Sequence, residues 1–256
     1  MCTLAIYVRT VVGYPLVVAA NRDEFFSRPA SAPRLLDDEA KIFGGRDEVA
    51  GGTWLAVNHF GVVAALLNRR SDRQADPERR SRGLLCLSML RMPTAAQACA
   101  GLSYEQGETY NPFNLLVADR ERAWIATNNG AAISIQGLDP GLHLVTNLDL
   151  NDPTCPRIAA SHRLFAELLA AGAPRAAAPE FCERLRQILS THDTPLDPRG
   201  AAAGNSLCVH SEEYGTRSST VLFLDDANRW TYLHTNEAPC RSDYAREPVM
   251  EALFGR

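Results

Sequence analysis

The chain has 256 residues, 46% of them hydrophobic and 22% charged, and a formal net charge of −4. That balance belongs to a globular protein with a sizeable core, and the slight acidity excludes nucleic-acid binding as the main role. Apolar runs such as GVVAALL are far short of the roughly 18 residues of a membrane span, and Arg9 breaks the N-terminal apolar stretch where a secretory signal would continue.

Short β-forming runs dominate the first half. TLAIYVR and PLVVAA read as two strands joined by a turn at Gly13-Tyr14-Pro15. GTWLAVN and GVVAALLN flank HF and predict a second hairpin bending at Gly61. FNLLVAD and AWIATNN bracket RER as a third, and AAISI and HLVTN extend the series. Several of these runs are continuously apolar rather than alternating, which predicts strands buried on both faces and layers that cover the sheets.

The covering helices are legible too. SRGLLCLSMLRM and TAAQACAGL have helical spacing, interrupted at Pro93. Residues 156–171 form the clearest helix, opened by Pro156 and followed by Gly172. PEFCERLRQILS predicts another after the Ala/Pro linker GAPRAAAP, and strands return at SLCVH, STVLFLD and RWTYLHT. No internal repeat is present, and the linker is too short to separate domains. One domain over 1–256 is therefore expected: α+β, two stacked, mainly antiparallel sheets with helices outside each, a four-layer αββα sandwich.

Seven cysteines lie at 2, 86, 99, 155, 182, 208 and 240, with no C-x-x-C spacing. Their odd number and scatter argue against a disulfide framework and against a zinc ribbon, so buried free thiols in a reducing, cytoplasmic setting are expected. The six histidines are isolated in sequence and read as surface or packed residues, so no metal site is expected. Nucleotide, serine-hydrolase and zincin motifs are absent.

Cys2 permits two readings, a small residue opening a strand or a nucleophile exposed by removal of Met1. In the second, a terminal α-amine with a pKa of roughly 7.7–8.0 can take the thiol's proton and return it to a leaving amine. A guanidinium favours the thiolate, and Arg22 in VVAANRDEFFSRP is the candidate. Asn68 and Asn147 each end a strand and could supply oxyanion donors, while Arg217 opens a late strand. GGTW at 51–54 reads either as close backbone approach to a ligand or as a turn. The stretch NRRSDRQADPERRSR, six arginines against three acids, reads either as a solvated loop or as an anion platform.

Taken together, MC, LVVAANRDEFFSRP, GGTWLAV, FGVVAALLN, YNPFNLLVAD, TN and YGTRSSTVLFLD resemble the NRDE, or transport-and-Golgi-organisation, family from residue 1 to about 225. The order of Cys2, Arg22, Asn68, Asn147 and Arg217 also looks like the choloylglycine-hydrolase and penicillin-acylase group of N-terminal-nucleophile hydrolases. That likeness implies attack by Cys2 on an amide, Arg22 and Arg217 bracketing the thiol, and Asn147 with Asn68 binding the oxyanion. Asp23 follows Arg22 directly, whereas the group spaces its arginine and aspartate three apart. Adjacent strand residues face opposite ways, so Asp23 reaches the α-amine only if the strand bends there, and Glu24 is the other candidate.

Two functions follow as expectations. One is a hydrolase or acyltransferase acting on a small amide or acyl substrate with no required cofactor. The other, implied by the family resemblance, is a non-catalytic carrier of haem or of an acyl-CoA- or lipid-like anion in the same cleft. The Cys155-Pro156 pair bears weakly on haem and better on the start of a helix.

Overall fold

The computed structural model describes residues 2–170, 179–195 and 206–255. Met1 and most of the Ala/Pro linker, residues 172–178 with Gly172, lie outside them. The chain divides into two compact units, one holding the residues up to Ser27 with Pro140–Glu247, the other holding Arg28–Asp139 with Pro248 onward.

The first unit is a six-stranded antiparallel sheet. Its strands are β1 (Thr3–Val11), β2 (Tyr14–Phe25), β10 (Gly141–Val145), β11 (Tyr214–Leu224), β12 (Trp230–Thr235) and β13 (Ala245–Arg246), in the order β10-β1-β2-β11-β12-β13. Helices α3 (Pro156–Ala170) and α4 (Pro179–Leu189) pack on it. β1 and β2 are buried on both faces along most of their length, as their unalternating apolar runs require. Tyr7 is the centre of the helix-side core. Its ring meets Phe165 of α3 and Phe181 of α4 edge-on, at centroid distances of 6.5 and 6.2 Å, and its hydroxyl donates to the Phe165 carbonyl at 3.0 Å.

The second unit is a seven-stranded antiparallel sheet in sequence order. It comprises β3 (Ala30–Asp37), β4 (Ile42–Asp47), β5 (Leu55–Asn58), β6 (Val63–Asn68), β7 (Phe113–Ala118), β8 (Ala123–Asn128) and β9 (Ile133–Gly137). Helices α1 (Arg82–Leu90), α2 (Ala95–Leu102) and α5 (Val249–Phe254) pack on this sheet. Ser81 and Thr94 cap α1 and α2 by accepting from Leu84 and Gln97 N–H. The bend expected at Gly61 is present, with φ +88°, and buried Asn58 braces it by accepting from the Phe60 and Val62 N–H groups. Each unit thus supplies one sheet and its helices.

Three local features differ from expectation. SLCVH forms no strand beyond an isolated bridge from His210 to Gly215, because Cys208 N–H goes to the Thr191 carbonyl and Val209 N–H to the Thr216 hydroxyl. The β3–β4 pair is unanticipated, since β3 contains Pro33 and its pairing shifts register twice, which an edge strand tolerates. The short helix α5 is also unanticipated. No helix among the described residues is long and apolar enough to cross a membrane.

GGTW is resolved in favour of packing. A Cβ on Gly52 would lie 2.2 Å from the Gly83 carbonyl carbon, so α1 approaches this loop backbone to backbone. Gly52→Ala should therefore lower stability by about 1–3 kcal/mol. Gly101→Ala, in open space within α2, should raise stability by about 0.5–1 kcal/mol. Urea unfolding of both variants checks the pair, and equal midpoints would refute the packing assignment.

Candidate active site

β1 and β2 pair with Thr3 opposite Asn21, which sets Cys2, one residue earlier, opposite Arg22. β1 and β10 pair from Leu4 opposite Val145 to Val8 opposite Gly141, and Asn147 follows the end of β10 by two residues, in a bend. Directly opposed residues of antiparallel strands share a face. Arg22 thus stands across the strand pair from Cys2. The Ser218 position, paired with Arg22 on β11, continues the row.

The sulfur of Cys2 is held by backbone. Asp23 N–H lies 3.3 Å from it, and the thiol donates to the Asp23 carbonyl at 3.5 Å. The same carbonyl accepts from the Tyr214 hydroxyl at 3.1 Å. The Asp23 carboxylate accepts from the Thr216 hydroxyl at 2.6 Å through Oδ1. Asp23 therefore reaches the Cys2 sulfur through its main chain while its side chain is anchored on β11. The register irregularity here lies on the partner strand and not on β2: β11 bulges between Thr216 and Ser218, and Arg217 is the extra residue.

The arginines differ in their surroundings. Arg22 is buried, with a guanidinium nitrogen 3.9 Å from Glu24 Oε2, while Glu24 Oε1 accepts from Phe25 N–H at 2.9 Å. Arg217 donates to the carbonyls of Phe25 and Phe26 at 3.2 and 2.9 Å, bracing the end of β2. Phe25 and Phe26 themselves are exposed. Asn147 Oδ1 and Ser218 Oγ are buried and accept or donate no hydrogen bond among the described residues. A half-turn about the last bond of the Asn147 carboxamide would put Nδ2 at that unbonded position as a donor. Asn68 belongs to the second unit, where it ends β6 opposite Phe113 with its side chain exposed.

Other candidate features are structural. Cys155 is fully buried in the helix-side core and Pro156 opens α3, so this pair does not present a ligand to solvent. In the arginine-rich loop, Arg79 donates to the Tyr110 and Gly130 carbonyls, Arg80 to the Tyr110 hydroxyl, and Arg82 to the Pro112 carbonyl. A surface cavity of about 700 Å³ beside it is lined by Arg73, Arg79 and Arg80 together with Asp76, Glu78 and Glu108, a mixture of signs rather than an anion platform.

Thr216, Tyr214 and Ser218 complete the cluster without having been singled out from sequence. The signal was the YGTRSS run, where one residue too many on β11 decides which side chains face β2.

A model of the Transport and Golgi organisation 2 family matches residues 1–237. The chain belongs to that family. It is 30% identical over 245 residues to the Transport and Golgi organization protein 2 homolog of Bos taurus, covering 86% of this chain and 85% of that one. The Homo sapiens homolog is 29% identical over the same coverage. Among solved structures, the Caenorhabditis elegans N-acylethanolamine-hydrolyzing acid amidase ortholog aligns with TM-score 0.57 and 14% identity, over 97% of this chain and all of that one. A C2A mutant of the conjugated bile acid hydrolase of Clostridium perfringens aligns with TM-score 0.59 and 9% identity, over 96% of each chain. The α+β fold is that of the N-terminal-nucleophile hydrolases.

Burial pushes the Cys2 thiol above its ordinary value and the Asp23 charge adds to this, while Arg22 pulls it down without reversing the outcome. With Met1 in place, iodoacetamide should therefore alkylate Cys2 more slowly than a free thiol at pH 7–8. Asp23→Asn should speed that reaction and Arg22→Gln should slow it. Peptide mapping of the alkylated chain measures all three rates, and an unchanged rate in both variants would remove these charges from the sulfur's surroundings.

Proposed function

We propose that the mature chain is an N-terminal-nucleophile amidase acting on a small amide with an apolar acyl group, with Cys2 as nucleophile once Met1 is removed. The observation that carries this reading is the Cys2 sulfur seated on the Asp23 backbone just before β1, across the strand pair from Arg22 on β2. The fold shared with an N-acylethanolamine-hydrolyzing amidase ortholog and a conjugated bile acid hydrolase supports it.

In the proposed reaction the freed α-amine of Cys2 takes the thiol proton. The thiolate attacks the amide carbonyl carbon, and the resulting oxyanion accepts from Asn147 Nδ2. The C–N bond breaks as the ammonium returns its proton to the leaving amine, which departs and leaves a thioester. Water, deprotonated by the same amine, then displaces the sulfur and releases the acid. Arg22, steadied by Glu24, offsets the burial that disfavours the thiolate. Arg217 holds the Phe25–Phe26 backbone, and those exposed rings suit the apolar part of an amphipathic substrate. No cofactor is needed. The other six cysteines are free thiols, which suits a reducing compartment such as the cytoplasm.

The same exposed rings beside buried Arg22 also favour a second reading, a carrier for haem or an acyl-CoA. An anionic group would then pair with Arg22, and the Cys2 thiolate could serve as an axial ligand to haem iron.

Intact mass and a panel of fluorogenic N-acyl amides test the first reading. The expected result is a chain lacking Met1 that hydrolyses long-chain amides, with turnover falling more than about 10³-fold in Cys2→Ala. Retention of Met1 in the active cellular form, or unchanged turnover in Cys2→Ala, would sink it. Haem and long-chain acyl-CoA titrated against wild type and Arg22→Ala test the second, which requires weaker binding in the variant.

A further inference from the structure

Four side chains scattered through the C-terminal half meet at one point of the first unit. The thiols of Cys208 and Cys240 lie 3.6 Å apart. His210 Nε2 lies 3.6 Å from the Cys208 sulfur and 3.2 Å from the Cys240 sulfur. The His192 ring stands 5.1 Å from the His210 ring, centroid to centroid. One ligand atom from each of the four lies within 4.8 Å of every other. We propose that His192, Cys208, His210 and Cys240 form a Cys₂His₂ site for a zinc(II) ion, separate from the Cys2 cluster.

The distances fit the ion's size. With Zn–S near 2.3 Å and Zn–N near 2.0–2.1 Å, a tetrahedron has S···S edges of about 3.8 Å and S···N edges of about 3.6 Å. The S···S and S···N separations among Cys208, His210 and Cys240 fall within a few tenths of those edges, and the His192 ligand atom, within 4.8 Å of the others, closes the fourth corner by an inward move of its exposed ring. The donor set is chemically coherent as well. Two thiolates and two imidazoles suit a borderline-soft tetrahedral cation, and they do not suit magnesium or calcium, which take oxygen ligands. His192 Nδ1 lies 3.1 Å from the Cys208 carbonyl. That is the outer-sphere contact that fixes a metal-bound imidazole's tautomer and leaves Nε2 to the ion. Binding would release the two thiol protons.

The site would clamp three chain segments: the residues just after α4, the stretch before β11, and the turn after β12. It is also joined to the candidate active site. Val209, between two of the ligands, donates its N–H to the Thr216 hydroxyl at 2.9 Å, and that hydroxyl donates to Asp23. The clamp would therefore fix the residue that anchors the Asp23 carboxylate, acting as a positioning device with no contact to substrate.

The test uses the full-length chain, reduced and stripped with a chelator, titrated with cobalt(II) as a spectroscopic probe and then with zinc(II). The expected result is one cobalt per chain, with the ligand-field and thiolate charge-transfer bands of a tetrahedral site, bleached by zinc. Cys240→Ser and His192→Ala, both at surface positions, should each weaken binding at least about 10-fold, since loss of even an outer-sphere partner costs 10–100-fold. Cys182→Ser, on α4, should leave it unchanged. Far-UV circular dichroism confirms folding of each variant, and either surface variant alone decides the matter. The proposal is overturned if the reduced wild type gives no thiolate–cobalt bands, or if a folded Cys240→Ser or His192→Ala binds as wild type does. It is equally overturned if Cys208 and Cys240 form a disulfide whose reduction yields no metal uptake.

Discussion

The antiparallel pairing of β1 with β2 is the constraint on which the rest of the site depends. Thr3 opposite Asn21 places Cys2 opposite Arg22. A slip of one residue would turn Cys2 toward the face that Thr3 and Asn21 occupy, where Asn21 Nδ2 binds the Leu189 and Leu207 carbonyls. The continuous burial of both strands makes such a slip costly, since each face is matched to its own neighbours. The Cys2 sulfur is thereby positioned by a long ladder rather than by a loop.

A second ladder corrects the first. β2 and β11 run in register up to Ser218 and Arg22, then lose one residue to the bulge at Arg217. Without it, Thr216 would stand one place out of line with Asp23. With it, the Thr216 hydroxyl meets the Asp23 carboxylate, and Arg217 is turned onto the carbonyls beyond. The electrostatics follow from this arrangement. A negative carboxylate and burial oppose ionisation of the thiol, a buried guanidinium favours it, and the balance lies with burial until a base is supplied next to the sulfur.

Much of this was legible in the sequence, for definable reasons. The hairpins announced themselves through apolar runs broken by Gly13 and Gly61, and α3 through Pro156, because those signals are local. The sequence grouped Cys2, Arg22 and Asn147 as strand ends; β1 does begin just after Cys2, whereas β2 runs past Arg22 to Phe25 and β10 stops at Val145, before Asn147. The direction of the Arg217 side chain was not legible, because a bulge depends on how two distant strands count against each other. Nor was β3, whose Pro33 and double register shift erase the alternation that marks a strand. The meeting of His192, Cys208, His210 and Cys240 was invisible for a related reason. Only Cys208 and His210 are neighbours in sequence, and the other two arrive from the end of a helix and from a turn.

The NRDE letters at 21–24 perform four separate tasks. Asn21 fastens the end of α4 to the sheet, Arg22 faces the sulfur, Asp23 grips Cys2 with its backbone and β11 with its carboxylate, and Glu24 steadies Arg22. Half of that work is architectural. A relative lacking Asn21 or Asp23 would lose the tie between α4 and the sheet or the tie between β2 and β11, whatever the protein does. The motif is therefore a set of fastenings within the fold, whatever else it does. Loss of Cys2 would remove the contact to the Asp23 backbone and leave the other three fastenings intact.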